Sequence, residues 1–358
     1  MILSRGPYFG GAELQMSILS KELVKRSYDV SFITFGEKSS FYETYDDIKV
    51  YCAFNSKFKG YSYLHPYNIY SLIKILHKIE ADIYIKKGYS PLTGIMAFIA
   101  KLQNKKFFFI ASSDKDLSGK LDASSIDKWP NIFYQFGVKN CTRVICQTNH
   151  QLNLLEQKVG KKGIIIKNLY HLTNKENVKR DPKSLKILWI GRLIHGKRPE
   201  LFLRLAKQLP DYRFWIIISR HPLDVDYYDQ IYKEAIKIDN LDFLGYIPYK
   251  EIKRFYAESS MLISTSISEG FPNTFLEAWG NSIPVVSIGF DPDEIICNNG
   301  LGVHIENFED LVKNVDMLIK NDRLREKMGM HGRKYVEAEH SVIRIVDEYE
   351  KLFNHKFF

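Results

Sequence analysis

The sequence predicts an α/β protein with two doubly wound domains in tandem that face a central cleft. Three observations support this prediction. The chain has 358 residues, enough for two separate cores. Short β-branched and aromatic runs alternate with segments of helical periodicity almost throughout, which is typical of parallel sheets flanked by helices. Between the halves, residues 169–184 are polar, lack a clear period and include Asp181-Pro182, so they predict a linker.

The first half contains four strand-like runs and three amphipathic segments. The runs predict strands at residues 30–35, 82–86, 106–111 and 144–147. The amphipathic segments predict helices at residues 12–26, 67–79 and 91–102. Only Ile2 and Leu3 precede Ser4, so either the first strand is brief or the true start lies upstream.

The second half repeats this pattern with sharper strands. They are predicted at residues 185–190, 214–219, 261–265 and 284–288. Residues 307–353 predict consecutive helices, broken near Asn321 and at 339–340. The expected organisation is an N-terminal domain at 1–168, the linker at 169–184, a second domain at 185–340, and a C-terminal helix at 341–358 that could pack back on the first domain.

Composition excludes several classes of protein and locates the charge. With 45% hydrophobic and 26% charged residues, the chain is neither disordered nor fibrous. The net charge is +9. Residues 1–168 hold 24 basic and 14 acidic residues, a net of +10, whereas residues 169–358 hold 27 and 28, a net of −1. The surplus lies in the first half and predicts an anionic partner there.

Cysteine content and hydropathy indicate in which cellular compartment the protein works. Four cysteines without metal-like spacing do not make a disulfide framework, so we expect a reduced, cytoplasmic chain. No uninterrupted apolar run is long enough to span a bilayer. Any membrane contact would be peripheral, at the inner face of the plasma membrane. Nucleic-acid binding is not expected, because no reading helix or aromatic platform motif is recognisable.

The first candidate motif is Gly10-Gly11, which lies directly before a predicted helix. Paired glycines allow a sharp turn and leave peptide N–H groups open to an anion at the helix N-terminus. The turn could hold a phosphate or a sugar, or it could be a plain strand-to-helix turn. The spacing is not GxGxxG, which weakens a dinucleotide-binding assignment.

The second motif, residues 191–199 (GRLIHGKRP), follows a predicted buried strand. The guanidinium of Arg192 and the ammonium of Lys197 can both reach one diphosphate from a strand-end loop, the first as a fork and the second as a point charge. The alternative is a solvated basic loop.

The third motif, residues 268–280 (SEGFPNTFLEAWG), carries two carboxylates at a strand end and a helix start. Glu269 and Glu277 there could accept hydrogen bonds from sugar hydroxyls. The spacing of Thr274 and Glu277 also fits a capping box, which would explain Glu277 structurally but not Glu269.

Together these motifs resemble the retaining glycosyltransferase family 4. The resemblance covers essentially the whole chain and is strongest from residue 186 to 302, including the Glu-x7-Glu spacing of Glu269 and Glu277. It implies the GT-B architecture, with two Rossmann-like doubly wound domains facing a central cleft. In that family the first domain receives the acceptor and the second binds the nucleotide sugar.

The resemblance also implies roles for individual residues. Arg192 and Lys197 would bind the donor diphosphate, Glu269 would contact the donor sugar, and Glu277 would bind the ribose. The further donor-binding residues that it implies are Gly10, Gly11, Tyr246, Ile247, Gly270, Phe271, Asn273 and Thr274.

The chain departs from the family after one first-half strand. Many members carry a histidine there, whereas residues 107–111 here lead into Ser112-Ser113-Asp114. We expect Asp114 to take part of that catalytic role; a surface turn is the alternative.

No metal and no cofactor is expected besides the nucleotide-diphosphate sugar. No His, Asp or Glu cluster has convincing metal-ligand spacing, and Asp291-Pro292-Asp293 predicts a turn before the next helix. Cationic loop residues would stabilise the leaving diphosphate in place of a metal.

The expected function is transfer of a sugar, with retention, to a glycan or lipid-linked acceptor in cell-envelope polysaccharide synthesis. A nucleotide-sugar epimerase of the same fold and an inactive nucleotide-sugar-binding protein are the alternatives. The basic surplus predicts contact of the N-terminal domain with an anionic membrane surface or a pyrophosphate-linked acceptor. The candidates are Lys57, Lys59, Lys86, Lys87, Lys105 and Lys106.

Overall fold

The computed structural model describes residues 10–36, 42–55, 65–118, 128–172, 185–219 and 225–355. Within them the chain forms two compact units. The first unit comprises residues 12–169 and 342–355, and the second comprises residues 10–11 and 170–341. Most of the predicted linker, residues 173–184, lies outside the described residues, as do Ile2, Leu3, Lys57 and Lys59.

The strands of the first unit form two sheets. The strands β1 (Ser31–Gly36), β2 (Tyr42–Tyr45) and β3 (Ile48–Asn55) pair in the order β1-β3-β2. The pair β1–β3 is parallel, and β2–β3 is an antiparallel hairpin. A second, wholly parallel sheet has the order β4 (Ile83–Lys87), β5 (Lys106–Ile110), β6 (Arg143–Cys146) and β7 (Gly163–Ile165).

The helices of the first unit form two layers. They are α1 (Gly11–Lys25), α2 (Pro66–Ile79), α3 (Leu92–Leu102), α4 (Lys128–Asn140), α5 (Asn149–Leu154) and α13 (Val342–Asn354). Side chains alternate along β5: Phe107 and Phe109 belong to one core with α2, α3 and α4. Phe108 and Ile110 belong to the other core, with α1 and α13. This period of two is what a strand buried on both faces requires.

Helices α3 and α4 pack backbone against backbone. A Cβ atom added to Gly94 would lie 2.1 Å from the carbonyl oxygen of Phe133, and one added to Gly137 would lie 2.4 Å from the Thr93 carbonyl. Any larger residue at either position would push the two helices apart.

A cavity of about 460 Å³ lies within the first unit. Its walls come mainly from β1, β3, β4 and helices α1 to α3, with aliphatic side chains such as Leu23, Leu72 and Ile83. Of the residues that the sequence singles out and the structure describes, only Lys86 and Lys87 line it. The cavity is therefore not where the predicted donor-site residues lie.

The second unit is built on one six-stranded parallel sheet. Its strands are β8 (Lys186–Arg192), β9 (Arg213–Ser219), β10 (Leu241–Gly245), β11 (Ser259–Ser264), β12 (Val285–Ile288) and β13 (Gly302–Ile305). They pair in the order β10-β9-β8-β11-β12-β13. Counted within the unit, this order is 3-2-1-4-5-6, the doubly wound order whose direction reverses between the first and fourth strands.

Helices flank this sheet on both faces. They are α6 (Pro199–Gln208), α7 (Val225–Ala235), α8 (Tyr249–Glu258), α9 (Asn273–Gly280), α10 (Ile295–Asn299), α11 (Phe308–Ile319) and α12 (Asp322–Glu339). One core packs α6, α7 and α11 against the sheet, and the other packs α8, α9 and α12.

The predicted strands and helices agree with the structure to within about two residues at each end. The C-terminal helices break at 320–321 and 340–341, close to the predicted positions. None of the described helices is both long enough and apolar enough to cross a bilayer.

Candidate functional site

The candidate site lies at the point where the sheet of the second unit reverses its winding direction. Strands β8 and β11 are neighbours there, and the loops that follow them lead to helices α6 and α9. In open parallel sheets ligands bind outside the carboxyl ends of the strands at this reversal, because the two loops diverge and leave a crevice. The second and third sequence motifs occupy these two loops.

Arg192 is the last residue of β8 and its side chain is exposed. Within the described part of the chain, its guanidinium makes no hydrogen bond or ion pair. A guanidinium in this state is available to an anionic ligand, which it can bind through two parallel N–H donors.

Lys197 ends a short 3-10 turn, His195–Lys197, and its ammonium forms an ion pair with the carboxylate of Glu269. Both side chains are about one-fifth exposed. The structure therefore brings together two residues that are 72 positions apart in the chain and that the sequence assigned to different motifs.

Buried and partly buried hydrogen bonds hold the Lys197 turn in place. The indole Nε1 of Trp189 donates to Thr265 Oγ1 at 2.9 Å, and the Thr265 hydroxyl donates in turn to the Lys197 carbonyl. Arg198 donates from Nε to the Thr265 carbonyl at 2.7 Å and from a terminal nitrogen to the Ile288 carbonyl at 2.8 Å. The neighbouring cation, Arg198, thus holds two segments together through their carbonyls, whereas Arg192 is exposed and Lys197 is partly exposed.

The loop before α9 presents backbone donors. Helix α9 begins at Asn273, and the first N–H groups of a helix have no acceptor within it. Gly270 is buried, and the ring of Phe271 packs against Trp279 and His340. This packing fixes the loop, so the N–H groups of Asn273 and Thr274 are preorganised.

Glu277 is buried on α9, and its carboxylate has two tyrosine partners. Tyr256 donates from its hydroxyl at 2.7 Å, and Tyr249 forms a second side-chain hydrogen bond. Burial raises the pKa of Glu277 to about 7, although both hydroxyls act in the opposite direction. The capping-box interpretation is wrong: α9 begins at Asn273, so Thr274 lies inside the helix, where it cannot cap it.

Tyr249 and Tyr256 are residues that the sequence reasoning missed. They lie seven residues apart on α8, so they share one face of that helix. The spacing of the two tyrosines can be read from the sequence. The sequence does not show that Glu277 is their acceptor, because β11 separates α8 from α9 along the chain.

The predicted base-contacting residues follow β10. Gly245 has a φ of 64°, which allows the chain to turn sharply at the end of the strand. Tyr246 is exposed, and Ile247 packs against the core of the α8–α9 side. Their role in binding a base stays a prediction.

Gly10 and Gly11 belong to the second unit together with the donor-site loop. The Gly11 carbonyl accepts a hydrogen bond of 3.0 Å from the Asn273 side-chain amide. A Cβ atom at Gly11 would lie 2.7 Å from that amide nitrogen, so the contact favours glycine. Two residues of the predicted donor set are thereby adjacent.

Asp114 lies in the first unit, at the start of a 3-10 turn after β5. Its Oδ2 is 3.8 Å from Nε2 of His150. The carboxylate that organises this turn is that of Asp116, which accepts from the backbone N–H groups and hydroxyls of both Ser112 and Ser113. The sequence reasoning missed Asp116, and a catalytic role for Asp114 stays a prediction.

The described lysines that were candidates for an anionic surface have intramolecular acceptors. Lys86 donates to the Gly88 carbonyl and Lys87 to Asn168 Oδ1, and burial lowers their pKa values to about 8 and about 7. Lys105 pairs with Asp82. Lys106 donates to the carbonyls of Phe353 and His355 at the end of α13.

One group of possible metal ligands occurs within the described residues: Asp291, Cys297 and His304. Both oxygens of Asp291 already accept backbone N–H bonds, from Ile296 and Cys297, at the start of α10. A 3-10 turn, Pro292–Glu294, follows Asp291, so the predicted turn before the next helix is confirmed.

The sequence of the second unit matches a known family model. Residues 172–335 match the family described as Glycosyl transferases group 1. This match spans almost the whole of the second unit. Arg192, Lys197, Glu269 and Glu277 all fall inside the matched range.

Curated relatives match along nearly the whole chain. An uncharacterized glycosyltransferase of Methanocaldococcus jannaschii is 25% identical over 355 residues, covering 97% of this chain and 96% of its own. A Campylobacter jejuni relative is 23% identical over 367 residues, covering 96% of this chain and 94% of its own. It is named GalNAc-alpha-(1->4)-GalNAc-alpha-(1->3)-diNAcBac-PP-undecaprenol alpha-1,4-N-acetyl-D-galactosaminyltransferase.

Solved structures confirm the predicted GT-B fold class. The Anabaena protein HepE, solved in complex with UDP and glucose, superposes with a TM-score of 0.76 at 14% identity, covering 98% of this chain and 97% of its own. Staphylococcus aureus TarM gives a TM-score of 0.67 at 20% identity; the chain covers 59% of that longer protein. The comparisons support glycosyltransferase activity and favour neither the epimerase nor the inactive binding protein.

Proposed function

We propose that the protein transfers a sugar from a nucleotide-diphosphate sugar to a glycan or lipid-linked acceptor, with retention of the anomeric configuration. One observation carries this proposal: Lys197 pairs with Glu269, and Arg192 ends the neighbouring strand β8, where the 3-2-1-4-5-6 sheet reverses direction. Retention rests on the resemblance of these motifs to the retaining family.

The two cations suit a departing diphosphate. Negative charge develops on this group as the bond to the sugar breaks, and fixed positive charge stabilises it. The unpaired guanidinium of Arg192 would bind first. The ammonium of Lys197 would then leave the carboxylate of Glu269 and pair with the diphosphate. The hydrogen bonds from Trp189 to Thr265 and from Thr265 to the Lys197 carbonyl would keep the Lys197 backbone in position.

The same exchange would release Glu269. Its carboxylate could then accept hydrogen bonds from hydroxyls of the donor sugar, next to the backbone donors at the start of α9. Glu277 would accept from the ribose hydroxyls, and the Tyr256 and Tyr249 hydroxyls would hold its carboxylate in one orientation.

We place the reaction in cell-envelope polysaccharide synthesis with a lipid-linked acceptor. The Campylobacter relative supports this choice, since its name specifies an acceptor attached to undecaprenol through a pyrophosphate. We also propose a cytoplasmic location, because four cysteines in 358 residues, without metal-like spacing, do not make a disulfide framework.

The test is transfer from a panel of UDP-, GDP- and TDP-sugars to undecaprenyl-pyrophosphate glycans, with and without chelator. Lys197→Ala and Arg192→Ala should each lower turnover by ~100-fold. The matched control is Lys207→Ala, which removes an exposed lysine of α6 and should leave turnover unchanged. Nuclear magnetic resonance of the product should show the anomeric configuration of the donor.

Three results would count against the proposal. Wild-type turnover in the Lys197 and Arg192 variants would refute the assignment of the site. An inverted product would refute retention. Loss of turnover in excess chelator that Mn²⁺ or Mg²⁺ restores would refute transfer without a metal.

A further inference from the structure

Helices α2, α3 and α4 of the first unit contribute to one hydrophobic core. Their buried faces share a single core with β3, β4, β5 and β6. The glycine contacts of Gly94 and Gly137 bring α3 and α4 close together. The outward faces of the three helices, which we call the outer helical face, are thus carried on a common rigid support.

The outer helical face exposes large apolar side chains at helical spacing. On α3, Phe98 is 54% exposed and Leu102 is 71% exposed, one turn apart. On α4 the exposed side chains are Ile132, Phe133 and Phe136. Burying apolar side chains is favourable, so a contiguous set of them on a surface indicates an interaction site.

Helix α2 extends the same pattern with amphipathic side chains. Tyr67, Tyr70 and Ile73 are exposed there. Tyrosine is enriched where one end of a ring meets an apolar phase and the other meets water. Its presence beside the phenylalanines of α3 and α4 suits a boundary between apolar and aqueous phases.

The charged residues within α2, α3 and α4 are of one sign, and the exposed Glu80 follows α2 as its C-cap. The sequences of α2, α3 and α4 contain five lysines and no aspartate or glutamate. Every other described helix of eight or more residues carries at least one acidic residue. The lysines known to be exposed are Lys74, Lys78, Lys101 and Lys139.

We propose that the outer helical face docks on a lipid bilayer that contains anionic lipids. Interleaved lysine and apolar side chains on one helical surface are what an interfacial membrane site requires, since the lysines meet the headgroups while the rings enter the acyl boundary. Helices that carry lysines and no acidic residue also complement an anionic bilayer better than they complement a second copy of themselves, which would place lysines against lysines.

This surface differs from the lysines expected from the sequence. Lys86, Lys87, Lys105 and Lys106 are engaged by acceptors within the first unit, whereas Lys74, Lys101 and Lys139 lie exposed beside the apolar side chains. The proposal does not depend on the transferase activity, because it concerns binding without a donor or an acceptor.

The experiment measures co-sedimentation of the full chain with vesicles. One set is phosphatidylcholine alone, and the other is equimolar phosphatidylcholine and phosphatidylglycerol. Two variants test the face: Phe98→Ser with Leu102→Ser, and Lys74→Gln with Lys101→Gln and Lys139→Gln. Thermal unfolding and light scattering are measured for each variant, so that loss of folding or of self-association is detected separately.

Matched controls remove the same kinds of side chain from exposed positions of the second unit. Ile236→Ser with Met330→Ser matches the apolar variant. Lys207→Gln with Lys313→Gln and Lys327→Gln matches the lysine variant and has the same net charge.

Wild-type protein should bind the anionic vesicles more tightly than the neutral ones, and salt should weaken this binding. Each exposed lysine removed should lower affinity by a factor of ~5, and the apolar variant should lower it by ~10-fold. Both control variants should bind as wild type does.

Equal binding to both vesicle types, or variants that bind no worse than their controls, would overturn the proposal. So would a dimer that the apolar variant abolishes without any change in vesicle binding, because a second copy would then cover the face.

Discussion

Replacing Glu277 with glutamine should stabilise the second unit, and the gain should grow as the pH rises. Burial raises the pKa of this carboxyl in the folded chain to about 7, from an ordinary value of 4.5. A raised pKa means that the folded state binds the proton more tightly than the unfolded state. The stabilising contribution is therefore complete below pH 4.5 and is lost as the pH rises through 7.

The size of the effect follows from these two pKa values. One pKa unit corresponds to about 1.4 kcal/mol, so ionising Glu277 costs the folded state about 3 kcal/mol near pH 8.5 and about 1 kcal/mol near pH 5. Glutamine keeps an oxygen that accepts from Tyr256 and cannot ionise. The stability difference between Glu277→Gln and wild type should thus increase by about 2.5 kcal/mol across this range.

Urea unfolding followed by tryptophan fluorescence measures this difference. Three of the four tryptophans, Trp189, Trp215 and Trp279, lie in the second unit, so the signal reports mainly on that unit. The control is Glu326→Gln, which changes an exposed glutamate on α12. A stability difference that stays constant with pH would refute the reasoning, since burial would then not oppose ionisation of Glu277.

Three further predictions concern single contacts. Thr265→Val removes the hydroxyl between Trp189 and the Lys197 carbonyl and should cost about 2 kcal/mol in urea unfolding, with weaker binding of UDP in a calorimetric titration. Gly137→Ala should lower stability by about 2 kcal/mol or more, because its Cβ atom would overlap the Thr93 carbonyl, whereas Gly196→Ala has open space and should be nearly neutral by the same measurement. Tyr256→Phe removes a hydrogen bond that lowers the pKa of Glu277, so this pKa should rise further. In urea unfolding, the loss of stability that accompanies ionisation of Glu277 should then extend to a higher pH than in the wild type.

Strands β10 and β13 were not predicted, but the sequence was sufficient for the other four strands of the second unit's sheet and for its two cationic residues. Its strands are continuous apolar runs such as residues 214–219, which are typical of parallel strands buried on both faces. Arg192 and Lys197 were predictable because they follow such a strand directly. In the first unit the hairpin of β2 and β3 was not predicted, since its strands mix lysine, glutamate and asparagine with apolar residues.

The partners of the site residues were not predictable from local sequence. The pairing of Lys197 with Glu269, and of Glu277 with Tyr256, depends on which loops and helices the strand order brings together. Thr274 and Glu277 show how local spacing misleads: the pair has capping-box spacing, but the N-cap is Pro272, so the helix begins two residues too early for it. Lys106 likewise meets carbonyls almost 250 residues away.

Helix α13 has a consequence for the order in which the chain can fold during synthesis. Its residues Ile345, Val346, Tyr349 and Phe353 belong to the same core as Phe108 of β5. A ribosome therefore completes the second unit, at residue 341, before it supplies the last helix of the first. The N-terminal unit would wait with one layer of its core uncovered, so the unit made first would be the last to finish folding.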